Sequence, residues 1–470
     1  MRARSVTSEP RPRTDRRWIA LVALLGAAPS VAWALRHPAL LHDDWSYASW
    51  VHFRGVWKTI YQVGTHTNGR PLQAVFFGIT YGLFGAHPVP HALLLGALNG
   101  VAAALLYCVV RRFGDHRLGL LAALVWTALP NRSSSHYWFS AAPIVLAVCL
   151  LLAGVLALSN GRRGWAVVAL VAGVLTYEAV GVLSVVAIAA WAWRGGRRRA
   201  VPAVAMTVPL AASAAWLWEH SPKAGGVRPL ADAGRWISTQ YGAGIFRSPV
   251  ATALGSAALL AVVALAAART VAPGFAATRL DRAVLIGLAV SVGGLLPFLA
   301  IGFPVTTDGF FDRGNVVADL GTAVMLAAAL ALVLEHLPAI ARHATAAAVV
   351  LGLAWPGVAS LSTYVAAADA GRHLEADLAA DVPQRDVGPL VIGPPLSHNG
   401  GVAELVTSWD TSAYLELARH DPVIEARMAC TAADFLTARE SDSYDRITRV
   451  LVMRNQSTTF GSAACHAGGL

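Results

Sequence analysis

Two adjacent carboxylates, Asp43 and Asp44, follow closely on the first long apolar run of this chain. A carboxylate beside a lipid–water boundary can take a proton from an acceptor hydroxyl, which is the work of a general base. Arginine holds a phosphate bidentately and stabilises its charge as it leaves, and Arg70 and Arg313 stand in polar segments between apolar runs. His136 and Glu178 occupy two further segments of that kind. We therefore expect Asp43 or Asp44 to be catalytic, and Arg70, His136, Glu178 and Arg313 to bind substrate. Each also has a plainer role open to it. Asp43 or Asp44 can cap the helix that begins near Trp45, and Arg70 can be an interfacial cation that snorkels. His136 can be an interface residue beside Tyr137 and Trp138, Glu178 can sit in a hairpin turn, and Arg313 can pair with Asp312.

Something must hold these residues at one surface. Hydrophobic residues make up 56% of the chain and charged residues 14%, a balance that leaves too little charge to cover a soluble domain. Repeated apolar runs of about 18 residues or more indicate membrane-spanning helices. The net charge of +10 does not indicate nucleic acid, because the arginines lie in short segments between apolar runs. That distribution is the positive-inside pattern, which sets orientation. Cys108 and Cys149 fall inside apolar runs, where cysteine acts as a small hydrophobe. Cys430 and Cys465 lie in the polar C-terminal part and can pair if it is extracytoplasmic. No spacing suits structural zinc.

In chain order, residues 1–17 read as a disordered cytoplasmic tail. The apolar run Trp18 to Leu35 reads as an uncleaved anchor, with a cleaved signal peptide as the alternative. Residues 36–88 form a first outer loop with amphipathic pieces at Trp45 to Tyr61 and Pro71 to Phe84, the second lying at the interface or re-entering the membrane. Later spans alternate so that the basic segments at Arg111-Arg112, Arg162-Arg163 and Arg197-Arg198-Arg199 share one side. This requires the run 164–193 to be two short helices broken near Thr176-Tyr177-Glu178. A second large outer loop covers 219–248, and the last span is expected at Ala344 to Leu361. The fold class is thus a polytopic α-helical membrane protein of about eleven spans, with a transmembrane domain at 18–363. Residues 364–470 read as a small extracytoplasmic α/β domain, with strands at Pro389 to Pro395 and Arg449 to Met453 and a helix around Ala413 to Ala418.

The pattern His42-Asp43-Asp44-Trp45, then Gly69-Arg70-Pro71-Leu72 opening an amphipathic helix, resembles the GT-C superfamily of integral-membrane glycosyltransferases. The likeness continues through Phe84-Gly85, a span ending in Arg111-Arg112-Phe113-Gly114, and a span closing at Pro130 before a polar outer loop. It covers roughly residues 18 to 200, and its nearest flavour is that of protein mannosyltransferases and aminoarabinose transferases. The resemblance implies a sugar moved from a polyprenyl-phosphate carrier to an extracytoplasmic acceptor (a cell-envelope glycan, lipid or protein), with a first-loop acid, here Asp43 or Asp44, as base. It also implies a multi-pass cell-membrane location, with a cytoplasmic N-terminus and an extracytoplasmic C-terminal domain. Many relatives carry a further acid in the second outer loop, and residues 131–142 have none; His136 or Glu178 can substitute. We expect no metal and no cofactor beyond the lipid-phosphate sugar donor, a divalent cation being the alternative. The competing readings are a multi-pass transporter or lipid flippase, and a non-enzymatic envelope assembly protein. Against transport, the expected spans carry almost no charge at their centres.

Overall fold

The structure is a computed structural model, and it describes residues 14–36, 38–67, 69–220, 240–241, 245, 249–271, 277–300, 306–307, 309–381, 390–392, 408–420, 426–428 and 449–451. Asp308, Cys430 and Cys465, most of residues 219–248 and most of the C-terminal part lie outside these residues.

The chain is a helical bundle. Its helices are α1 (Thr14–Ala34), α2 (Asp43–Arg54), α3 (Val56–Gln62), α4 (Pro71–Phe84), α5 (Pro88–Phe113) and α6 (His116–Ala128). There follow the single turn α7 (Ser134–Tyr137), α8 (Ala142–Ser159), α9 (Arg163–Thr176), α10 (Gly181–Gly195) and α11 (Arg197–His220). The rest are α12 (Pro249–Val271), α13 (Arg279–Ala300), α14 (Asn315–Leu334), α15 (Ala339–Asp381) and α16 (Ser408–Arg419). Among the described residues, eight helices are long and apolar enough to cross a membrane. Three expected spans, α6, α9 and α10, form as apolar helices of 13, 14 and 15 residues. At about 1.5 Å per residue these fall short of a hydrocarbon core of roughly 30 Å.

The expected break at Thr176-Tyr177-Glu178 is present: α9 ends at Thr176, and a 3₁₀ turn, Glu178–Val180, leads into α10. Arg163 at the start of α9 lies 5.2 Å from the ring of Trp191 near the end of α10. The two short helices therefore form a hairpin with both basic ends on one side. Arg112, Arg163, Arg199, Arg282 and Arg342 all border one hollow at that end, called here the arginine end. The chain's polar loops gather at the other, the site end.

Small residues allow the helices to approach closely, as bundles in lipid require. A Cβ added at Gly100 would lie 2.5 Å from the Ala23 carbonyl across the α1–α5 contact, and one at Gly321 only 2.1 Å from the Ser291 nitrogen across α13–α14. Aromatic rings fill the site end, where Tyr47 lies 4.1 Å from Phe77 and His91 4.4 Å from Phe139.

The last apolar helix differs from expectation. It does not end near Leu361 but continues as α15 to Asp381, so residue 364 falls inside a helix. Tyr364, Ala367 and Ala368 are buried in a cluster with Trp33 and Tyr137, and this packing carries the helix past the last apolar stretch. Beyond it, Leu390–Ile392 (β1), Ala426–Met428 (β2) and Arg449–Leu451 (β3) form a parallel sheet of order β2-β1-β3. Val391 stands opposite Arg427 on one side and Val450 on the other. Helix α16 packs against α2: Ser49 donates to Glu416, and Trp45 meets Tyr414 edge-on at 5.1 Å.

Candidate active site

The site is built on the first turn of α2. The residue before it, His42, has φ 50° and ψ −126°, a conformation that costs an L-residue of order 1–3 kcal/mol unless its surroundings fix it. Trp138 fixes the turn by donating from its indole nitrogen to the Leu41 carbonyl at 2.9 Å. Neither acid caps the helix: His42 is the N-cap and makes no side-chain cap bond. Asp43 and Asp44 instead occupy the first turn itself, where the helix dipole favours negative charge.

Successive helical residues point about 100° apart, and the two acids part company here. Asp44 is 1% exposed and points inward. Its carboxylate accepts from the Leu41 amide at 3.1 Å, the Tyr81 hydroxyl at 2.9 Å and the Ser140 hydroxyl at 2.5 Å. Burial pushes its pKa up to about 7, against the pull of those donors. With its lone pairs engaged, Asp44 ties α2 to α4 and to the start of α8.

Asp43 keeps 24% of its side chain exposed and accepts from Nδ1 of His42 at 2.7 Å. The same ring nitrogen lies 3.6 Å from Oδ2 of Asp410, a fully buried residue of α16. Burial alone would lower the imidazole pKa, but the two carboxylates overcome it and raise the group to about 9. Burial would raise the Asp43 carboxyl, but the His42 cation and its hydrogen bond hold it below its ordinary value, with Arg313 acting the same way. The guanidinium of Arg313 lies over the Trp138 ring at 4.8 Å, and its charge is felt by His42, Asp43 and Glu178. Among the described residues, His42, Asp43 and Asp410 form the one group whose ligand atoms, all within 4.8 Å of one another, suit a cation.

Arg70 and Glu178, 108 residues apart, meet in a two-pronged ion pair in which Nε donates to Oε2 at 2.6 Å and Nη2 to Oε1. Arg70 also lies 4.2 Å from the Tyr177 ring. Burial lowers the guanidinium pKa but Glu178 more than restores it, while Arg70 takes the Glu178 carboxyl below its usual range against burial. Arg70 is thus no lone snorkelling cation, and Glu178 is more than a turn residue. The pair clamps the start of α4 to the α9–α10 turn.

His136 is 5% exposed, and neither ring nitrogen has a hydrogen-bond partner. Burial and the nearby charge of Arg132 push its pKa well below the usual value, so the ring is neutral. Asp312 accepts from the Ser133 hydroxyl at 2.6 Å, the Ser134 amide at 3.0 Å and the Ser134 hydroxyl, and so anchors α7. Arg132 is fully buried, 3.5 Å from the Trp126 ring, with Nη2 donating to Asn99 at 2.5 Å. Burial lowers its pKa to about 10, opposed by Asp319 and Asp312. Asp319 in turn accepts from Gln240 at 2.6 Å and Asn131 at 3.2 Å.

The structure therefore gathers Asp43 and Arg313 around His42, sets the Arg70–Glu178 pair within reach of the Arg313 charge, and buries Asp44 and His136. The sequence alone assigns no role to His42, Arg132, Asp319 or Asp410. His42 had a visible signal in its place beside two acids; Asp410 had none, because its contact with the first loop spans more than 360 residues.

No protein-family model matches the chain, and no curated protein matches it. Among solved structures, it is similar to an oligosaccharyltransferase from Archaeoglobus fulgidus in the apo form, with TM-score 0.47 and 13% identity over 89% of this chain. The chain spans 65% of that protein's length. It is also similar to ArnT from Cupriavidus metallidurans bound to undecaprenyl phosphate, with TM-score 0.46 and 14% identity over 90% of this chain and 88% of that one. The apo state of the same protein gives 0.47 and 13% over 91% and 88%. With TM-scores below 0.5 the likeness is one of chain path, and function rests on the side chains.

Proposed function

We propose that this chain is a membrane glycosyltransferase that moves a sugar from a polyprenyl-phosphate carrier to an extracytoplasmic acceptor, with Asp43 as the general base. The observation that carries the reading is the contrast within one helical turn: Asp44 is enclosed by donors, while Asp43 is partly open, ionised and faces Arg313. In the transfer, Asp43 takes the proton of the acceptor hydroxyl as the acceptor oxygen bonds to the anomeric carbon. The bond from that carbon to the phosphate oxygen breaks, and its electron pair leaves with the phosphate. Arg313 neutralises the departing charge. A carboxylate that stays ionised also stabilises positive charge developing on the sugar ring, so the depressed Asp43 pKa suits a late proton transfer.

His42 holds Asp43 in place, and Asp410 of the C-terminal domain holds His42. The protonated imidazole between two carboxylates supplies the positive charge that a cation would, so the proposed reaction needs no resident metal. Arg70 and Glu178 shape the wall beside the donor phosphate, and His136 packs beneath it. By the positive-inside rule the arginine end is cytoplasmic, which puts the N-terminus inside and the site and C-terminal domain outside.

The test is sugar transfer from a polyprenyl-phosphate donor in membranes bearing Asp43→Asn, Asp44→Asn or both, with and without a chelator. Asp43→Asn should abolish most transfer, and the chelator should change nothing. Undiminished transfer by the double variant at normal expression would remove the mechanism.

A further inference from the structure

A hollow of about 2030 Å³ opens at the arginine end, its rim about 39 Å from the site end along the 26 residues of α5. Its wall is aliphatic, with Leu121, Leu183, Val186, Ile286, Val324 and Leu351 from five different helices. Helix α15 forms one side and stands off the bundle there: Ile340 is 86% exposed and Leu351 69%. The hollow is larger than the roughly 300–1,000 Å³ of a small-molecule pocket. An apolar gap of this size leaves its lining without partner atoms, and acyl chains are the matching filler within a bilayer.

The rim states what the filler carries at its head. Eight arginines border the hollow against two carboxylates, Asp115 and Glu335. Most of these arginines are exposed, including Arg112, Arg163 and Arg282. Several are already steadied by the protein: Arg163 and Arg199 lie 5.2 and 4.8 Å from the Trp191 ring, and Arg194 lies 4.9 Å from that of Phe113. Guanidinium groups held this way keep donors free for phosphate oxygens. An excess of positive charge above an aliphatic wall matches a lipid that is anionic overall, whereas a zwitterionic headgroup would leave that excess uncompensated.

We propose that this hollow is a binding site for an anionic phospholipid, with acyl chains against the aliphatic wall and the phosphate among the rim arginines. Neither Asp43 nor Arg313 lines the hollow, so the proposal does not depend on the proposed transfer reaction.

Delipidated full-length protein, titrated with phosphatidylglycerol or with phosphatidylcholine of the same acyl chains, should retain the former at least about tenfold better by native mass spectrometry. Each rim arginine near a charged lipid surface contributes about fivefold in affinity. The double variant Arg282→Gln/Arg342→Gln should therefore lose about 25-fold for phosphatidylglycerol and little for phosphatidylcholine. Ala289→Trp, which keeps every arginine but fills the hollow from an exposed wall position, should also release the lipid; it serves if the arginine variants do not fold. Equal retention of the two lipids would overturn the proposal, as would a phosphatidylglycerol affinity unchanged in all variants. Displacement of the lipid by glycerol 3-phosphate alone would show a site for a free phosphate ester instead. Preferential displacement by polyprenyl phosphate would show a carrier site instead.

Discussion

Arginine lies against tryptophan at both ends of this bundle, in two different settings. At the site end Arg132 is fully buried over Trp126 and donates to Asn99, in a wall closed by Ser133, Asp312 and Asp319. At the other end Arg163 and Arg199 lie against Trp191 beside an open aliphatic hollow. The first arrangement fixes charge in advance within a dry, crowded region, where fixed dipoles act most strongly on developing charge. The second steadies charge against a ring at an open boundary and lets a ligand complete the packing. A substitution at the site end should therefore change rate or folding, and one at the arginine end should change which lipid is bound.

The largest expected effect is at Asp43. General-base catalysis contributes typically about 10²- to 10⁴-fold, so Asp43→Asn should reduce the transfer rate by that much. Its thermal midpoint should fall less than that of Asp44→Asn, because the side chain is partly open and holds only His42. Asp44→Asn should show the opposite balance. Three donors converge on the Asp44 carboxylate, and an amide can accept from only part of them, so stability should fall more than rate. Equal losses of rate in the two variants, with unchanged folding, would erase the distinction between the acids.

That distinction was beyond the reach of the sequence. Adjacency placed both acids beside the membrane, but which one turns inward depends on where the helix starts, and His42 rather than an acid is the N-cap. The basic segments were legible because charge asymmetry across a bilayer acts on short loops independently of tertiary packing. The same logic located the α9–α10 break, since only a hairpin keeps Arg162-Arg163 and Arg197-Arg198-Arg199 at one end. Arg70 and Glu178 were each picked out as polar outliers, yet their pairing across 108 residues is a product of packing. His136 showed the converse: it reads as a substrate-binding or interfacial residue, but the fold buries it without a partner. Asp410 was hidden most deeply, in a segment with no motif, and reaches the site only because α16 docks on α2.

Next in size is the clamp. Removing one partner of a largely buried ion pair leaves the other uncompensated, at a cost of about 3–5 kcal/mol, whereas removing both costs less. The Arg70 and Glu178 side chains are 19% and 30% exposed, which puts Arg70→Ala toward the lower figure. The Arg70→Ala/Glu178→Ala double variant should recover part of the loss, as read from thermal unfolding in detergent. Additive losses would mean that the two side chains act separately.

A smaller, graded effect should come from pH. His42 is raised from 6.5 to about 9 in the folded chain, so its contribution to stability is complete below about 6.5 and is lost as pH rises through about 9. The thermal midpoint should decline across that window and should be flatter in His42→Gln and in Asp410→Asn. If Asp410→Asn keeps the parent's pH profile, the C-terminal helix touches the site without shaping it.

The smallest effect on folding belongs to the arginine end, where it is the most informative. Exposed substitutions away from buried networks usually stay within about 0.5 kcal/mol, so Arg282→Gln should leave the lipid-free thermal midpoint nearly unchanged. Added phosphatidylglycerol should raise the parent's midpoint more than the variant's, because a ligand stabilises a fold in proportion to how tightly the folded state binds it. An equal rise in both would mean that the arginines at this end serve orientation alone, and that the two ends differ in topology but not in binding.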